Sequence, residues 1–152
     1  MRIVLNIDEL LLDIRNKSHE ECASLFADAE ARYKVEAGNH KNLELFRNIA
    51  EVGSSLSRLL FRYLADYYQE EASNNDTLPE SLVYELNLSE RRSNGKTQPL
   101  ADAMHQYVVH YVLAKYYATV NATELSNKHS VQTQEAASQI EDLVLTKKPP
   151  LV

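Results

Sequence analysis

From Lys41 to Ala72 the sequence holds one apolar stripe at helical spacing, running through Leu43, Phe46, Ile49, Ala50, Gly53, Leu56, Leu60, Tyr63, Leu64 and Tyr67. Three-and-four spacing sustained over roughly eight turns predicts a long central helix. Only 3 glycines and 4 prolines occur in 152 residues, so the chain has few places to turn and favours long helices over a many-stranded sheet. Gly53 inside the stripe costs about 1 kcal/mol of helix propensity, which implies that a neighbouring helix approaches closely there. "SNNDTLPE" then ends the helix with turn residues, and Pro79 reinforces the break.

The remaining segments complete a mainly α chain. Thr97-Gln98-Pro99 supplies a capping residue and a proline suited to a first turn, opening a second long helix to about Asn121. A C-terminal helix from Thr123 to about Thr146 shows Leu125, His129, Gln132, Ala136, Ile140, Leu143 and Val144 on its inner face. Near the N-terminus, "RIVLNI" reads as an extended arm over about 1–7, with Asp8 as N-cap of a brief helix. Ser18 and Glu21 are spaced as a capping box for another helix that Gly38 stops. "SLVYELNL" alternates like a strand, and Asn94-Gly95 offers a turn, so a short β-arm or hairpin is expected around residues 81–96. The expected fold is a small helical bundle with two long helices, a C-terminal helix and that β element. It forms a single domain over 1–146, with an extended tail at 147–152 that the prolines keep out of helix.

Charge and cysteine content narrow the function classes. With 16 Lys and Arg against 22 Asp and Glu the net charge is −6, unsuited to neutralising the phosphates of a duplex, so no specific nucleic-acid recognition is expected. Arg58, Arg62, Asp66, His110 and Lys115 interrupt the apolar runs before they reach membrane-spanning length. Asp8, Glu9 and Asp13 do the same for a signal sequence, so no membrane partner is expected. Cys22 is the one cysteine, which excludes an internal disulfide and fits a reducing compartment.

No motif anchors an enzyme. His105 and His110 are five apart and point about 140° away from each other on a helix, so they cannot share a metal ion. Asp102 and His105 have the carboxylate-x-x-His spacing of di-iron bundles, but no second copy exists. In "HEEC" the thiol of Cys22 lies near His19 amid acidic residues, and a structural role for the cysteine is the expectation. With no glycine-rich phosphate loop and no nucleophile elbow, we expect no catalytic residues, no cofactor and no metal. The unusual content is tyrosine, 9 against 3 Phe and no Trp. Tyr63, Tyr67, Tyr107 and Tyr111 fall on inner stripes, with each hydroxyl expected at the rim of the core. Tyr116 and Tyr117 fit those stripes less well and, beside a weakly apolar last helix, are candidates for an interface.

Taken in order, "RIVLNIDELLLDI", a long helix, the "LPESLVYELNLSE" arm, "LADAMHQYVVHYVLAKYY", a polar last helix and a "KKPP" end resemble the head-tail connector or adaptor proteins of tailed bacteriophages, particularly those of gut Bacteroidales. The resemblance implies a structural virion protein at the head-tail interface, assembled in the cytoplasm of the bacterial host. Its partners would be further copies of itself in a ring, the portal protein, and tail or further ring proteins. It implies that Leu82, Tyr84, Leu86 and Leu88 belong to a gripping arm and that Lys147, Lys148, Pro149 and Pro150 lie in a reaching tail. The competing expectation is a cytosolic helical regulator or small binding module without catalytic activity.

Overall fold

The computed structural model describes residues 1–71, 79–88 and 95–145. Strand β1 (Arg2–Asn6) leads directly into helix α1 (Ile7–Leu25), followed by α2 (Ala29–Val35), a 3-10 turn (Asn39–Lys41) and α3 (Asn42–Leu59). Strands β2 (Leu64–Glu71) and β3 (Pro79–Leu86) come next, and α4 (Thr97–Thr119) and α5 (Thr123–Leu145) close the described chain. The fold is mainly helical with a small antiparallel sheet, as expected, but the elements are partitioned differently.

The expected helix over Lys41–Ala72 stops at Leu59. Leu60 ends it, the Tyr63 amide donates back to the Leu60 carbonyl at 2.8 Å, and Leu64–Glu71 is strand. No glycine or proline marks this break. Tyr67 and Tyr68 favour a pleated surface, and pairing with β3 overrides a helical periodicity that runs on through them. Within α3 the buried face is Leu45, Ile49, Val52, Gly53 and Leu56, while Leu43 is exposed, so the face is rotated from the predicted stripe.

The strand order is β1-β3-β2, with β3 antiparallel to both neighbours. The expected N-terminal arm is therefore an edge strand, and the expected arm or hairpin at 81–96 has become the central strand of the sheet. Asn94 lies outside the described residues; Gly95 takes a positive φ of 70° just before α4, a conformation that glycine adopts without steric cost. Ile3 faces Tyr84 and Leu5 faces Leu82 across one ladder, and Tyr67 faces Tyr84 across the other. Ile3, Leu5, Leu82 and Tyr84 are all buried under the helices, each such side chain stabilising the fold by about 1.5–3 kcal/mol. A register shift between Leu64 and Asp66 places a bulge where the chain enters β2.

Two further boundaries are corrected. Asn6, not Asp8, caps α1, its Oδ1 accepting the Glu9 amide at 3.1 Å. The helix then runs unbroken through Ser18, so Ser18 starts no new helix and Gly38 stops none. The α4–α5 connection follows the Schellman pattern: Asn121 is left-handed (φ 62°), the Ala122 amide donates to the Tyr117 carbonyl (2.8 Å), and the Asn121 amide donates to Ala118 (3.3 Å). The central helix is α4, which is apolar around most of its circumference and packs against α1, α3, α5 and β1.

Gly53 is a point of close approach, but to the sheet rather than to a helix. The Tyr84 hydroxyl donates to the Gly53 carbonyl at 3.0 Å, and a Cβ on Gly53 would overlap the Tyr67 hydroxyl and lie 3.4 Å from Leu82 Cδ2. Gly53→Ala gains about 1 kcal/mol of helix propensity but incurs overpacking of about 1–3 kcal/mol, so a net loss of about 1 kcal/mol is expected. In a Tyr67→Phe background the overlapping oxygen is gone and the alanine should become neutral or stabilising. Urea unfolding of the four-protein cycle measures this, and a stabilising single Gly53→Ala would contradict the packing described.

Candidate functional site

Three helices bring their polar side chains to one place. On α1, Ser18, Glu21 and Cys22 share a face by three-and-four spacing, while on α4 His110 and Tyr117 sit two turns apart. On α5, His129 occupies the buried stripe between Leu125 and Ala136. Among the neighbouring apolar residues a buried imidazole needs polar partners on both nitrogens. His129 Nε2 lies 2.7 Å and 3.0 Å from the two Glu21 oxygens, and its Nδ1 lies 2.9 Å from Nδ1 of His110. Lys128 Nζ donates to the second Glu21 oxygen at 2.8 Å. The ring of Tyr117 stacks on His129, and its hydroxyl donates to Ser18 Oγ at 2.9 Å, which also accepts the Ala37 amide at 2.8 Å.

Burial fixes the electrostatics. His129 is 2 % exposed and the Glu21 side chain 12 %. Burial alone would raise the Glu21 carboxyl, but the bonds and charges of His129 and Lys128 outweigh it and hold the group at about 2. His110 is pushed down to about 4, first by burial and then by the neighbouring His129 and lysine charges. The Tyr117 phenol and the Cys22 thiol are both raised by burial.

The orientation of the imidazole pair decides what it can do. The ring centroids are 5.2 Å apart, which is the 2.9 Å bond plus one ring radius on either side. The two Nδ1 atoms thus face each other head on. Lone pairs aimed at one another hold a proton between them; two metal ligands would instead converge on a third point. Consistently, among the described residues no group of three His, Cys, Asp or Glu is arranged to hold a metal ion.

His105 and His110 diverge as their spacing predicts. His105 Nε2 meets Asp13 of α1 at 2.5 Å, on a different side of α4 from the His129 contact. His19 turns to Glu36 (2.6 Å) and Cys22 is fully buried, which fits the structural role expected of the cysteine. Tyr116 and Tyr117, expected to meet a neighbouring subunit, are instead completely buried in the chain's own core. The reason is the burial of α4 around most of its circumference, and the Tyr116 hydroxyl reaches the Glu36 carbonyl at 3.0 Å. Leu82, Tyr84 and Leu86 are likewise spent inside the sheet packing, and Leu88 is partly buried against the core. Lys147, Lys148, Pro149 and Pro150 lie outside the described residues. Sequence reasoning missed Glu21, Ser18 and the His110–His129 pair. The available signal was His129 on an otherwise apolar stripe, a residue that demands a carboxylate from another helix.

A groove of about 470 Å³ runs between α4 and α5, lined by Tyr111, Ala114, Lys115, Ser126, Thr133 and Gln134. No described helix is long and apolar enough to cross a membrane. Comparison with protein-family models, curated proteins and solved structures finds no match to this chain.

Proposed function

We propose that the chain is a non-catalytic structural subunit of a connector or adaptor ring, joining a phage portal to the tail. The observation that carries this reading is the sheet, which ends in two unlike edges, β1 on one side and β2 on the other. Among the described residues each pairs with β3 only. A contact made between unlike surfaces is heterologous, and repetition of such a contact closes a ring when the rotation allows. The order of elements that resembles connector proteins supports the same reading. So does the fate of the polar side chains, which the described cluster consumes in ties between helices.

Size exclusion with light scattering, on the protein alone and mixed with a portal complex, tests the proposal. The expected result is a multimer that co-migrates with portal, and removal of residues 147–152 should abolish assembly while helical circular dichroism is kept. A concentration-independent monomer indifferent to portal would overturn it. The α4–α5 groove favours a second reading, a small binding module; on that reading the truncated chain keeps its ligand and never assembled.

A further inference from the structure

We propose that Glu21, His129 and His110 form an acid-operated latch that fastens the first half of α5 to α1 and α4, and that a second proton on the imidazole pair opens it. The head-on Nδ1···Nδ1 bond of 2.9 Å accommodates one proton. Either His110 donates to a neutral His129, or His129 carries both protons beside the Glu21 carboxylate and His110 accepts. With Nε2 of His129 committed to Glu21, a proton that leaves both imidazoles cationic sets one N–H against another at the same distance. The bond becomes a repulsion between two cations, and the rings must part.

The surroundings make the second proton costly and give it a way in. On the α1 side the pair faces Lys17, Glu20 and Glu21; on the α4 side, the uncharged Tyr117; on α5 itself, Lys128 and the neutral Gln132. Glu21 already serves both His129 and Lys128, so a charged His110 adds a cation next to His129, Lys17 and Lys128. A cleft of about 150 Å³ opens to solvent beside His110, so protons reach it without unfolding.

What the latch holds is also limited. In the first half of α5 the buried residues are Leu125 and His129, with Val131 exposed, whereas Ala136, Ile140 and Val144 and the Lys96 bond to the Leu143 carbonyl (2.8 Å) anchor the second half. Opening is therefore confined to roughly one half of the helix, with the rest of α5 as an internal reference.

Hydrogen exchange of the full chain, expressed as protection factors from pH 7 to 4, tests this. His110 has a depressed value in the closed state, so each unit of acidification between 6.5 and about 4 should favour the open state, approaching tenfold per unit. Residues 124–135 should lose protection in that window while 137–145 do not. In His110→Asn, which takes up no proton, the acid step should vanish. Equal behaviour of the two halves in the wild type, or an unchanged step in His110→Asn, overturns the proposal. Should that variant not fold, nitrogen chemical shifts of the wild-type His110 ring decide: its protonation should coincide with the loss of protection at 124–135, and protonation of His110 without that loss overturns the latch.

Discussion

Tyr117→Ala is expected to cost about 3–5 kcal/mol of stability, because it empties a completely buried ring site in the middle of three helices. Tyr117→Phe keeps the ring and removes the donor to Ser18, whose Oγ still accepts the Ala37 amide, so about 1 kcal/mol is expected. Urea unfolding resolves these values. The ratio carries the argument: similar costs for the two variants would mean that the hydroxyl, and not the packed ring, is the main contribution. Tyr116→Phe should cost somewhat more than Tyr117→Phe, since it leaves the Glu36 carbonyl without its phenolic donor.

Glu21→Ala at pH 7 is expected to cost about 3 kcal/mol, the free-energy equivalent of a carboxyl held at about 2 instead of its ordinary 4.5. The substitution strands His129, which is almost wholly buried, and frees Lys128. Because the folded-state value is depressed, this stabilisation is fully present above pH 4.5 and is lost as pH falls through about 2. The gap between the wild-type and variant curves that this carboxylate accounts for should therefore close between pH 4.5 and about 2. Parallel curves down to pH 3 would show that the carboxylate is not the group at work.

The helical character of this chain was legible because long runs of helix formers with few glycines and prolines leave few alternatives. The start of α5 followed from Thr123, and α4 begins at Thr97, although Lys96 and not Thr97 is its N-cap and no side chain makes a capping bond there. Two errors share one cause. The stripe through Tyr63, Leu64 and Tyr67 continues the helical spacing of α3, and only the ladder to β3 makes it strand. Ser18 and Glu21 have the spacing of a capping box, and only partners 19, 99 and 108 residues distant reveal them as inward-facing members of a continuous helix. Local pattern is blind to such partners. The tyrosines show the same limit: Tyr116 and Tyr117 look superfluous on a helix with one buried face, and become core once the helix is surrounded.

The pairing of β1 with β3 bears on the order in which the chain folds. Leu5 must find Leu82 and Ile3 must find Tyr84, contacts closed across most of the described length, while α4 and α5 meet through a connection of three residues. Loop-closure entropy makes the first slow and the second fast. During synthesis β1 emerges long before its partner and stays unpaired until β3 follows. The local pairs, β2 with β3 and α4 with α5, need no such distant partner, and the β1–β3 ladder is the last contact to be sealed.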